Sequence, residues 1–155
     1  MRWTDDAMNA HFHSAPDHFG TYFPFLFVGM WIFVSYVLAW QSGWARLARC
    51  YRAAEGGVYQ FAFSSGRLGG VGYSSSLNIG ADARGLHISA VVLFRLWHAP
   101  LCVPWSDIRA TLGKRWSRQI VILEFQREPF YALEITAELA AKLAAVPGAS
   151  FKVPE

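Results

Sequence analysis

The longest apolar run in the chain is residues 21–40, TYFPFLFVGMWIFVSYVLAW, and none of its residues is charged. As a helix rising 1.5 Å per residue it would reach about 30 Å, the thickness of a bilayer's hydrocarbon core. A cleaved secretory signal has a shorter apolar core, a basic start and a small-residue cleavage site. Here Asp5, Asp6 and Asp17 stand before the run against a single Arg2, and bulky, basic QSGWARLARCYR follows it. A core helix of a small soluble domain has no need of twenty uncharged residues carrying Trp31 and Trp40. The pattern therefore predicts a permanent transmembrane helix over 21–41. Ser14, Pro16 and Asp17 supply start signals for it, and Pro24 falls in its first turns.

WARLARCYRA then continues with helical spacing. Trp44, Leu47, Ala48 and Tyr51 share one face, and Arg46, Arg49 and Arg52 lie on others. Two readings fit: a stem lying against anionic headgroups, or a plain extension of the membrane helix, the simpler of the two. The three arginines after the span, against one before it, predict that the C-terminal side is cytoplasmic and the N-terminus outside.

Beyond Gly56-Gly57 the period changes. VYQFAFSS (58–65), VGYSSSLNIGA (71–81), GLHISAVVLFRL (85–96), LCVPWSDI (101–108), RATLGKR (109–115), RQIVILEFQ (118–126) and FYALEI (130–135) read as short strands punctuated by Gly, Pro and Asp. In the third, Leu86, Ile88, Ala90, Val92 and Phe94 fall on one face of an extended strand. TAELAAKLAAVPG closes the series as an amphipathic helix. Thr136 is its N-cap, Glu138 sits in its first turn, and Pro147-Gly148 ends it. Strands followed by one helix give an α+β class: a single transmembrane helix, then a small antiparallel barrel or sandwich with one C-terminal helix.

The stretch GLHISAVVLFRLWHAPLCVPWSDIRAT resembles the bacterial pleckstrin-homology-like and GRAM-like domains. The likeness lies in Gly85-Leu86 and in the run Val103-Pro104-Trp105-Ser106-Asp107-Ile108, and it extends over about residues 58–146. It implies strands followed by a terminal helix and says little of function. In lipid-binding relatives the basic residues sit in an early strand–turn–strand; the corresponding SSGRLGG offers only Arg67, so inositol-phosphate binding is not implied.

Composition supports the membrane reading. Charged residues make up only 16% of the 155, well under the usual quarter, and aromatics another 16%, seven of them Trp. A net charge of +3 does not suggest nucleic-acid binding. Cys50 and Cys102 are too far apart for a CxxC metal or redox motif, and a cytoplasmic domain keeps them reduced.

Candidate chemistry is sparse. Lys114, Arg115 and Arg118 bracket Trp116 and, with Arg109, could form a rim for an anionic partner; Arg127 could join them, although a solvated hairpin turn reads more simply. Ser106-Asp107 fits a turn cap. GRLGGVG lacks the ending of a phosphate loop. Cys102, His98 and Asp107 contain the groups of a nucleophilic triad, but a cysteine between apolar neighbours is more often a small hydrophobe. His11, His13, Asp17 and His18 cluster before the span and are read as interfacial or partner-contacting rather than as a metal site.

The expectation is a non-catalytic accessory or scaffold subunit of a larger membrane complex in a bacterial inner membrane, with no cofactor, no metal and no small-molecule substrate. Its segments are 1–20 outside, 21–41 spanning, 42–55 a basic stem and 56–155 a cytoplasmic interaction domain. Trp31, Trp40, Trp44, Arg46, Arg49 and Arg52 are expected to meet membrane or partner. The alternative is an adaptor that senses anionic lipid or a signalling partner.

Overall fold

The computed structural model describes residues 18–54 and 56–150, without the side chains of His18 and Phe19. The start signals Ser14, Pro16 and Asp17, with His11 and His13, lie outside the described residues. Helix α1 runs His18–Gln41 with Pro24 inside it, and its Gly20–Gln41 portion is long and apolar enough to cross a membrane. The chain divides into two compact units between Ile32 and Phe33. In the first, Phe23, Phe27 and Trp31, four residues apart, stack in series with centroids 6.2 and 6.5 Å apart.

The second unit begins with the last turns of α1. Ser42 and Gly43 break the helix, with Gly43 left-handed at φ +71°, and α2 (Trp44–Tyr51) starts in a new direction. The stem is therefore not a continuation of α1. A Cβ on Gly43 would lie 2.1 Å from the Tyr131 ring, so both the turn and the packing require glycine.

Seven strands follow: β1 (Phe61–Leu68), β2 (Val71–Ala81), β3 (Gly85–Ala90), β4 (Leu101–Pro104), β5 (Ile108–Arg115), β6 (Arg118–Phe125) and β7 (Leu133–Thr136). They form one antiparallel sheet in the order β4-β3-β2-β1-β7-β6-β5, curled into a half-barrel. Its edges, β4 and β5, are consecutive in the chain and joined only by the 3₁₀ turn Trp105–Asp107. The expected barrel is thus an open one. Register shifts in the β1–β2 pair, at Phe61/Ser64 and Ser64/Gly66, add the local twist that curling requires.

Two helices cover the concave face. From α2 come Trp44, Leu47 and Tyr51; from α3 (Ala137–Ala144) come Ala140 and Leu143. They meet Leu68, Leu77, Ile79, Leu86, Ile88, Val121, Leu123, Phe125 and Ile135 in a single core. Thr136 caps α3 by accepting from the Leu139 amide at 3.3 Å, as its sequence predicts. One expectation fails in β3. The strand stops at Ala90, and Val92–Trp97 forms a 3₁₀ helix instead. All six β3 residues are buried, because the segment before β1 crosses the sheet's outer face, bringing Gly57 against His87 and Val58 against Gly80.

Candidate functional site

At the C-terminal end of α1 a polar cluster is sealed beneath it. Ser35, Ala39 and Ser42, spaced i, i+4, i+7, are buried, and Ala39 joins the domain core. Such small side chains let α1 approach the domain closely. The Tyr73 hydroxyl lies 2.9 Å from Ser42 Oγ and 3.1 Å from His98 Nε2. His98 Nδ1 is 2.7 Å from the Phe94 carbonyl, which can only accept, so Nδ1 carries the proton, and Nε2 of the neutral ring shares the one Tyr73 hydroxyl proton with Ser42 Oγ. Burial favours that neutral form, pushing His98 below its ordinary range despite the Phe94 bond. The Trp44 ring sits edge-on to His98 at 4.7 Å and donates its indole N–H to the Ala99 carbonyl at 2.8 Å. The end of α1, α2 and the Val92–Trp97 turn are thereby held as one junction.

Beside this junction lies an open cleft of about 670 Å³ between α2 and the Val92–Trp97 turn. Arg49 in the last turn of α2 and Arg52, the extended residue just after the helix, line one wall, and Arg95, Leu96 and Trp97 line the other. Ala45 and Ala48 also line it, and their small side chains keep it open. The turn exposes Val92, Leu93, Leu96 and Trp97. The edge of the Trp97 ring meets Tyr36 of α1, with centroids 5.5 Å apart.

The residues expected at the membrane divide accordingly. Arg49 and Arg52 enter the cleft; Arg46 is exposed but turned away from it. Trp40 is exposed and Trp31 half-buried. Trp44 corrects the expectation: it is fully buried, since the apolar face of α2 packs on the sheet rather than on lipid.

The second expected cluster does not assemble as one rim. Arg109 and Arg115 stand at opposite ends of β5, roughly 20 Å apart along the strand. Arg115 donates to Glu134 at 2.6 Å, and Arg127 pairs with Asp107 at 2.9 Å. Lys114 and Arg118 remain at the tip of the β5–β6 hairpin beside Trp116, on a convex turn.

The triad groups are also separated. His98 is held by Tyr73 and Phe94, and Asp107 by Arg127. Cys102 instead faces His87, its cross-strand neighbour, at 4.0 Å. His87 Nε2 lies 2.9 Å from Asp82 Oδ2, so one nitrogen faces both thiol and carboxylate, whereas a relay needs one on each side of the ring. Burial works to raise the Asp82 carboxyl, but hydrogen bonds from His87, Arg84 and the Gly85 amide outweigh it and hold it at about 2. Burial and the Asp82 charge push the Cys102 thiol up, away from the reactive thiolate. The cluster locks the β2–β3 turn to β4.

Comparison with known proteins finds no matching family model, no similar curated protein and no similar solved structure. The contribution of Arg95, Leu96 and Trp97 was missed in the sequence. The signal available was WH followed by AP at 97–100, a break that ends the strand pattern with a tryptophan unaccounted for.

Proposed function

We propose that the protein is a single-pass membrane-anchored, non-catalytic interaction module, an accessory or scaffold subunit of a larger membrane complex. The observation that carries this reading is the rigid junction. An apolar helix able to span a bilayer ends in a turn locked to the sheet domain through Ser42, Tyr73, His98 and Trp44. A flexible tether suffices to localise an enzyme; a locked junction fixes the orientation of a binding surface relative to the membrane. The aromatic face of α1 offers a packing surface for partner helices. Seven strands followed by one helix accord with a pleckstrin-homology-like module, and the raised thiol of Cys102 accords with a non-catalytic role. In this reading the N-terminus is outside a bacterial inner membrane and the sheet domain is cytoplasmic, in keeping with the three arginines after the span.

The test is extraction in a mild detergent followed by native electrophoresis. The chain is expected to resist alkaline carbonate and to migrate in a complex several times its own 17.4 kDa. Migration only as a free chain overturns the accessory reading, and release by carbonate overturns the anchor.

A further inference from the structure

We infer that the cleft between α2 and the Val92–Trp97 turn seats the phosphate of an anionic phospholipid, with the turn inserted into the membrane interface. The inference rests on the reading that α1 spans the bilayer, and adds a ligand, a site and a depth to it.

Depth comes from Tyr36. This residue lies five positions before Gln41, the end of the apolar span, or about 7 Å inside it. The Trp97 ring packs against it edge-on, so the turn reaches the level of the span's last helical turns. Interfacial segments bury their apolar faces about 5–10 Å deep, where tryptophan is favoured. The exposure of the turn then has a reason. Val92 is 79% and Leu96 64% exposed, side by side with Leu93 and Trp97; clustered this way they are costly in water and stabilising in lipid. Across the junction Phe130 is 89% exposed, next to Tyr131, whose ring packs on Gly43.

Charge supplies the ligand class. Arg67, Arg84, Arg115 and Arg127 all have carboxylate partners. Among the described residues Arg49, Arg52 and Arg95 have none within ion-pair distance; Arg46, Arg109, Lys114 and Arg118 have none either, but it is Arg49, Arg52 and Arg95 that line one cleft together. Guanidinium groups recognise phosphate oxygens through paired N–H donors. A soluble anion would use the arginines and leave the apolar wall idle. A phospholipid uses both, its phosphate between Arg49, Arg52 and Arg95 and its chains leaving past Leu96 and Trp97. The locked His98 ring keeps the two walls at a fixed spacing, so little ordering is required on binding.

The test uses the full chain in a non-ionic detergent, offered equal amounts of phosphatidylglycerol and phosphatidylcholine, with bound lipid counted by native mass spectrometry. One phosphatidylglycerol is expected per chain, preferred roughly tenfold or more. Arg49→Ala/Arg52→Ala/Arg95→Ala should abolish the preference with an unchanged melting profile, while Lys114→Ala/Arg115→Ala/Arg118→Ala keeps it. If the triple cleft variant melts early, Arg95→Glu alone must lose the preference and Arg95→Lys retain most of it. Equal binding of the two lipids, or a preference surviving the cleft substitutions, overturns the site and leaves the anchor standing. Displacement of the lipid by millimolar inorganic phosphate assigns the cleft to a soluble anion and overturns the lipid. Loss of a protein complex without loss of lipid preference in the cleft variant makes it a protein contact and overturns it as well. Release of the wild-type chain by carbonate overturns both inference and anchor.

Discussion

Trp97 and Trp116 both stand exposed beside arginines. Trp97 lines a concave cleft, rests against the last turns of an apolar helix, and is followed by a histidine buried among Tyr73, Trp44 and Ser42. Trp116 tops a two-residue hairpin turn, is 94% exposed, and has one of its neighbouring arginines already tied to Glu134. In composition the two are nearly interchangeable. What separates them is the support beneath and the gathering of three unpaired arginines in one cleft, where the hairpin holds Lys114 and Arg118 on an open turn. A site needs cations that the fold has not already neutralised, on a scaffold that does not move when the ligand arrives.

The most severe way to break this contrast is to remove the scaffold. Trp44→Ala empties a fully buried ring position between the sheet and His98 and strands the Ala99 carbonyl. A loss of about 3–5 kcal/mol is expected in detergent unfolding experiments. Trp116→Ala, by contrast, should stay within about 0.5 kcal/mol of wild type. Equal losses would mean that the hairpin is as deeply supported as the junction.

Gly43→Ala attacks the same junction through the backbone. It places a Cβ in the Tyr131 ring at a left-handed φ of +71°. The expected cost is about 2–3 kcal/mol. Anionic-lipid preference should fall with it although no cleft residue has changed. A Gly43→Ala protein that retains full stability would show that the angle between α1 and α2 is not fixed there.

His98 distinguishes the two regions by pH. Its folded-state pKa is depressed below 6.5 by burial, so the unfolded chain binds the proton first as pH falls. Stability is therefore complete above that value and declines as pH drops through and below it. Unfolding midpoints measured between neutrality and mild acid should fall for wild type, and much less for His98→Gln, whose amide can still reach the Tyr73 and Phe94 positions. His98→Ala should cost about 2 kcal/mol at neutral pH by removing the hydrogen bonds to Tyr73 and Phe94 and emptying a buried ring position. An identical acid slope in wild type and His98→Gln would assign the titration elsewhere.

Much of the architecture was legible because single elements declare themselves. An uncharged run such as residues 21–40 has few alternatives, and Thr136 before an apolar stripe marks a helix start with a mechanism. The site was legible only in part, for two physical reasons. An amphipathic helix reveals that it has an apolar face but not which apolar medium the face meets; Trp44, Leu47 and Tyr51 meet a sheet, not a bilayer. Leu86 to Phe94 alternates throughout, and periodicity alone does not show that the strand ends at Ala90 and that Val92 turns outward. Strand register hid the rest. His87 faces Cys102 because β3 pairs with β4 in one register, and no sequence spacing encodes that pairing.

The smallest predicted effect is the sharpest for the hairpin. Trp116 adopts φ +55°, a left-handed conformation that a bulky residue disfavours and glycine accepts readily. Nothing packs over it to compensate, since it is almost wholly exposed. Trp116→Gly should therefore leave folding stability unchanged or raise it by up to about 1 kcal/mol, relief of strain being offset by the greater freedom of the unfolded chain. A measurable loss of stability would reveal support that the hairpin lacks in this structure. Unchanged stability together with loss of the native complex would make the ring a partner contact, and the strain at position 116 would then be the cost of presenting it. The contrast with Trp97 would survive in altered form, with one tryptophan seated toward lipid and the other held out toward protein.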